Sequence, residues 1–216
     1  MEVSPAISDV LKYAITLISI INPLGAIPVF LGLTRNHKNL NTKNVTNTCS
    51  IACGTTIIVS LVIGQALLNF FSISLASFTI GGGLLLFMTA FSMISGHQSN
   101  TKINNEEIRS VDFEREIGVI PLAIPLLSGP GAISTSIIHA KNFTTTTHWV
   151  AGIFMVLVVT LIIKIVLSYA DKIGEKLGQL GLNVMTRIMG LILMAMAIEM
   201  IAYGIKEIMP ILKETF

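Results

Sequence analysis

Two groups of prolines set among small residues are the places where this chain could handle a solute. Pro23 and Pro28 stand beside Asn22 and Gly25, while Pro121, Pro125 and Pro130 lead into Ser128, Gly129 and Gly131. Proline has no amide hydrogen, so a helix through these positions leaves the carbonyls of Ser19, Leu24, Ile117, Pro121 and Leu126 without their usual partners. Unpaired carbonyls are costly in lipid, and irregular backbone persists there only when buried in protein or lining a wet cavity. Asn22 and Ser128 add polar side chains at the two interruptions. Paired discontinuities of this kind mark midplane solute sites in transporters, and this reading assigns Asn22, Pro23, Gly25, Pro28, Ser128, Gly129, Pro130 and Gly131 to one such site. Simple proline kinks, sealed by neighbouring helices, are the alternative.

Intramembrane charges are the second source of chemistry. Lys164 and Arg187 lie near the ends of apolar stretches and can extend their charges to the interface. Glu199 is about 18 Å along a helix from Arg187, too far to pair with it. Its carboxyl must be protonated, hydrated or bonded to another helix, so Glu199 joins the candidate solute site.

Enzymatic chemistry has little support. His37, His97, His139 and His148 show no His-Glu-x-x-His spacing, and no phosphate-binding loop is present, so neither metal nor other cofactor is expected. Ser136 and His139 share a helical face, yet the Gly-x-Ser-x-Gly elbow of a hydrolase is missing. Cys49 and Cys53 also share a face and read as small buried thiols rather than a disulfide.

The elements that must position these residues are apolar helices. Of 216 residues, 52% are hydrophobic and only 12% charged, with a mean hydropathy of +0.78. An ordinary soluble domain is about a quarter charged. The formal net charge of +2, without a basic block, points away from nucleic acid. The spacing predicts six spans in a lipid bilayer, at about 10–33, 48–68, 75–96, 117–139, 148–169 and 184–206. The hydrophilic stretch 97–116 separates two three-helix units, 1–96 and 117–216.

Orientation follows from the basic residues. Arg35, Lys38, Lys43, Lys102, Arg109, Arg115, Lys172 and Lys176 fall in connections on one side, which the positive-inside rule makes cytoplasmic. Both termini then face outward, Trp149 sits at the outer interface, and the first helix is retained rather than cleaved as a signal. The halves echo each other at an offset near half the 216-residue length. Asn22-Pro23-Leu24-Gly25-Ala26-Ile27 recurs in outline as Gly129-Pro130-Gly131-Ala132-Ile133, Ile80 to Leu85 answers Ile188 to Leu193, and Gly96 answers Gly204. An odd number of spans per unit makes the second copy an inverted repeat. The Gly81-Gly82-Gly83 run suits close helix packing, within one chain or in a homo-oligomer.

Three segments carry a family resemblance. Ile21 to Phe30, Gly118 to Ile133 and Thr186 to Gly190 resemble the signatures of the MarC family across nearly the whole chain. The resemblance implies a six-helix protein of the bacterial inner membrane, similar in topology to LysE-like exporters and grouped with transporters of unassigned substrate. It departs at Thr79, where the family usually carries a basic residue. The expectation is therefore a transporter or exporter of a small solute, with a non-transporting membrane scaffold as the alternative.

Overall fold

The structure, a computed structural model, describes residues 5–34, 40–95 and 111–215. These residues form helices and turns: α1 (Pro5–Ile21), α2 (Pro23–Thr34), α3 (Thr42–Phe70), α4 (Leu75–Ser95), α5 (Val111–Ile117), a wound segment Gly118–Leu127, α6 (Pro130–Ala140), α7 (Thr146–Ser168) and α8 (Ala170–Thr215). Starts are capped where the chain enters from polar connections. Asn41 Oδ1 accepts from the amide of Lys43 to begin α3, and Thr145 Oγ1 accepts from the amide of His148 to begin α7. Gly178, at φ 63°, breaks α8 into a short first rod and a long apolar second one.

Proline explains the other breaks, through the residue that precedes each ring. Cδ of proline crowds the preceding residue out of the helical region. Ile120 (φ −123°, ψ 119°) and Ile124 (φ −125°, ψ 122°) are both extended, each directly before a proline. Gly129 (φ −68°, ψ 179°) is extended before Pro130, and Asn22 before Pro23 has a left-handed φ of 45°. Pro28 behaves differently, lying inside α2 without ending it.

Among the described residues, five helical stretches are long and apolar enough to cross a membrane: Ser8–Thr34, Thr42–Phe70, Leu75–Ser95, Thr146–Ser168 and Ala170–Met209. The sixth expected span, 117–139, is not one helix. Prolines divide it into the end of α5, the wound segment and α6, so no continuous spanning helix forms there. Helix also begins earlier than expected, since α5 occupies the last part of the 97–116 connection. Gly96 and the remainder of that connection lie outside the described residues.

The core centres on α3 and α7, where Ile57, Leu61, Val156, Val159 and Ile163 are buried. Close approach there depends on Gly54, whose added Cβ would stand 2.5 Å from Thr160 Oγ1. Around this pair, α3 packs on the wound segment and α6, and α7 packs on α1 and α2. α1 also touches α6, and α2 touches the wound segment. α4 and α8 lie side by side, α4 reaching α6 and α8 reaching α2. Leu84, Met88, Phe91, Phe154, Leu157 and Leu161 face outward, a surface that suits acyl chains and not water.

Candidate functional site

The second break is the better defined of the two. Ser128 is fully buried, and its amide and Oγ both donate to Ala123 O at 2.8 Å, so one carbonyl of the wound segment is satisfied twice. Gly129 and Pro130 then open α6, where the amide of Ile133 donates back to Gly129 O at 3.1 Å. The amides of Gly131 and Ala132 precede that first bond and have no intrahelical acceptor. A cavity of about 20 Å³, room for a single water, lies against this turn. Gly129, Pro130, Gly131 and Ala132 form one wall, Ile20 of α1 another, and Leu85, Leu86 and Thr89 of α4 a third.

The first break meets the second through Ile20 rather than Asn22. A Cβ on Gly131 would stand 3.0 Å from Ile20 Cγ2 and 3.2 Å from Met200 Sδ, so α1, α6 and α8 converge on this glycine. Asn22 turns toward α8 instead, its Nδ2 donating to Met189 Sδ at 3.4 Å. Its Oδ1 accepts from the amide of Gly25 at 3.2 Å, capping α2, and a Cβ on Gly25 would stand 2.6 Å from Asn22 Nδ2. Pro23 is buried as the first residue of α2, and Pro28 is half-buried one turn and a half further on. Gly129, Pro130 and Gly131 thus share a cavity, Asn22 and Gly25 form an adjoining cap, and Ser128 seals the turn from behind.

The structure also reveals buried hydroxyl groups that the proline pattern did not single out. Ser134, Thr135 and Ser136 of α6 are all buried. Ser134 Oγ lies 3.3 Å from Thr79 Oγ1, and Ser136 Oγ lies 3.0 Å from Tyr13 Oη while donating to Ala132 O at 2.8 Å. Ser136 is therefore engaged by α1 and its own helix, and His139 meets the Tyr13 ring at 5.2 Å. The Ser-Thr-Ser run was the available signal, but nothing in it names Tyr13 as partner.

With this geometry established, comparison with known proteins gives a match to the MarC family of integral membrane proteins over residues 7–209. Among curated relatives, the UPF0056 membrane protein YhcE of Escherichia coli (strain K12) is 38% identical over 200 residues, covering 92% of this chain and 93% of its own. A UPF0056 membrane protein of Buchnera aphidicola subsp. Schizaphis graminum is 35% identical over 199 residues, 92% of each chain. One from Pyrococcus abyssi is 38% identical over 190 residues, 88% of this chain and 90% of its own. No solved structure matches. The chain belongs to the MarC family.

As a MarC family protein it is an integral membrane protein with several apolar helices. Thr79 is buried, and its Oγ1 donates to Leu75 O at 2.8 Å, so a neutral hydroxyl occupies the position against Ser134. Arg187 and Lys164 are both exposed. Glu199 is exposed on α8, and among the described residues it makes no hydrogen bond or ion pair. This places it apart from the cavity at Gly129 to Ala132. Glu199→Gln should consequently leave folded yield and melting temperature in detergent unchanged, because no internal contact is lost. A large fall in either would mean that the carboxylate is bound within the fold.

Proposed function

We propose that this MarC family protein is a multi-pass transporter of a small solute in the bacterial inner (plasma) membrane, built from two inverted three-helix repeats whose broken helices meet at a midplane site. The observation that carries the reading is an internal two-fold in the packing. A Cβ on Gly83 would stand 3.0 Å from Ala197 O and 2.7 Å from Ile201 Cγ1, and one on Gly190 would stand 3.1 Å from Ala90 O and 2.8 Å from Ile94 Cγ1. Residues 83 and 190, 90 and 197, and 94 and 201 are each 107 apart. Pro23 and Pro130, each opening a helix at a break, share that spacing. So do Thr79 and Thr186, both of which donate to the carbonyl one turn back at 2.8 Å. The register is one residue shorter than the Gly82 to Gly190 match in the sequence suggests.

Element contacts obey the same exchange. The α3 contact with α6 is matched by α7 with α2, α3 with the wound segment by α7 with α1, α4 with α6 by α8 with α2, and α1 with α6 by the wound segment with α2. Such a relation supports reading 117–139 as a sixth traverse despite its breaks. It supports a shared site at the two discontinuities, where the amides of Gly131 and Ala132 can meet a polar solute. A scaffold would need no such duplicated opening.

Access is the test. Single cysteines at Gly129 and Gly131 should react with small hydrophilic thiol reagents from at least one side of the membrane, and transported solute should protect them. Failure of both to react in folded protein would leave the scaffold reading. Orientation has its own check: cysteines at Asn41, Ser110 and Gly178 should be shielded from an impermeant outside reagent, and those at Ser72 and Thr145 labelled. Outside labelling at Ser110 would reverse the proposed placement of both termini.

A further inference from the structure

Between α1 and the wound segment the two-fold is broken, and the break has a direction. Tyr13 and Leu17 of α1 are fully buried, whereas Ile120 and Ile124, 107 residues further on, are 63% and 40% exposed. Tyr13 and Leu17 lie in regular helix, while Ile120 and Ile124 are the two extended residues of the wound segment. One end of the molecule thus buries these two positions where the other half exposes them.

What seals it is polar at the centre and aromatic at the rim. Tyr13 Oη and Ser136 Oγ, 3.0 Å apart and both inaccessible, tie α1 to α6 across 123 residues of sequence. The Tyr13 ring also packs against His139 at 5.2 Å and edge-on against Phe143 at 6.0 Å. Phe143 in turn meets Trp149 edge-on at 5.6 Å and His148 face to face at 6.1 Å, bracing the start of α7. Ser136 donates to Ala132 O at 2.8 Å, and Ala132 is part of the cavity wall, so the tie stands one turn of α6 above the cavity.

We propose that the Tyr13–Ser136 contact is the latch of a gate between α1 and α6, and that it closes the midplane cavity toward the Trp149 end of the molecule. The proposal rests on the transport reading, in which such a cavity must open to each side in turn. A hydrogen bond suits a latch, since it is specific in geometry yet worth little net free energy, so it can break during each cycle. The aromatic rim lets the helices separate without exposing an unpaired charge. In the other half the positions 107 residues from Tyr13 and Leu17 are Ile120 and Ile124, and the one 107 residues from Ser136 is Val29, so no hydroxyl pair stands in the equivalent places.

The test uses the full chain with Cys49→Ala and Cys53→Ala, reconstituted in vesicles, with a single thiol introduced by Ala132→Cys. A charged, membrane-impermeant thiol reagent is added from the Trp149 side and, separately, from the opposite side. With the latch intact the thiol should react slowly from the Trp149 side. Tyr13→Phe, which removes only the hydroxyl, should raise that rate about fivefold, the equilibrium change expected from losing one net hydrogen bond. Ser136→Ala should do the same, and the two together should add little, because they remove one interaction. Should Tyr13→Phe fail to fold, Ser136→Ala decides alone. Unchanged rates in folded variants, or fast reaction from the Trp149 side with the latch intact, would overturn the gate. A thiol freed by loss of the latch but never reactive from the opposite side would keep the gate and sink alternating access.

Discussion

Gly82→Leu should abolish recovery of folded protein, while Gly81→Leu, at the adjacent position, should leave yield and thermal stability intact. A Cβ on Gly82 would overlap Cβ of Pro130, the residue that opens α6 at the cavity. A proline ring cannot rotate out of the way, so the added side chain must push α4 from α6 or deform the turn at Gly129. Overpacking of a well-filled site costs about 1–3 kcal/mol and more where nothing can yield. Leucine adds four carbons at a point already too small for one, which places Gly82→Leu above that range. Gly81 faces outward, and a Cβ there meets nothing within 4 Å. Leucine at 81 would simply join the lipid-facing surface of Leu84 and Met88. Size-exclusion profiles and melting curves of both variants in detergent check the contrast. Equal behaviour would mean that α4 packs through another face.

The second large effect is expected at Asn22. Asn22→Val should lower stability by about 2–3 kcal/mol, combining left-handed strain with loss of a cap. The backbone at Asn22 has φ 45°, a conformation that asparagine tolerates and a β-branched residue does not. Its amide donates to Ile18 O at 3.0 Å to finish α1, and its Oδ1 caps α2 through Gly25. Valine would have to leave the left-handed region, changing the angle between the two halves of the first traverse. Asn22→Gly keeps the dihedral angle and removes only the side chain, so it should cost well under half as much. Thermal unfolding of the two variants separates backbone from cap. If glycine is as damaging as valine, the side-chain contacts to Gly25 and Met189 dominate.

Much of the local architecture was legible because membrane sequences leave few choices. Charge-free stretches of spanning length, bounded by Arg35, Lys43, Lys141 and Lys164, mark helices through the cost of burying charge in lipid. The break positions were legible from Pro23 and Pro130, since each lacks a donor and constrains its neighbour. The same rule did not anticipate that Pro28 would sit inside an intact α2, or that Ile120 and Ile124 would unwind a whole segment. Those outcomes depend on which freed carbonyls find partners, as Ala123 O does with Ser128.

Site membership was less legible. Asn22 and Ser128 were singled out as polar groups at the breaks, yet one caps α2 and touches Met189 while the other is buried behind the turn. The cavity is bounded instead by backbone of Gly129 to Ala132 and by apolar side chains of α1 and α4. An apolar wall residue has no chemical signature in a sequence that is 52% hydrophobic, so Ile20 and Leu86 could not be distinguished from lipid-facing neighbours.

The sequence by itself determined that the chain is a membrane protein of apolar helices, that two of them are interrupted at Pro23 and Pro130, and to which family it belongs. Each of these follows from covalent or solvation properties local to a short segment: a missing amide hydrogen, an absent Cβ, a long stretch without charge. The tertiary structure alone decided that Gly83 and Gly190 face Ala197 and Ala90, that Tyr13 finds Ser136, and that Tyr13 and Leu17 are buried while Ile120 and Ile124 are exposed. The physical reason is that helix packing and side-chain hydrogen bonds depend on rotation and separation of whole helices. Partners more than 100 residues apart, such as Tyr13 and Ser136, are chosen by that geometry and carry no mark in their own neighbourhood of sequence.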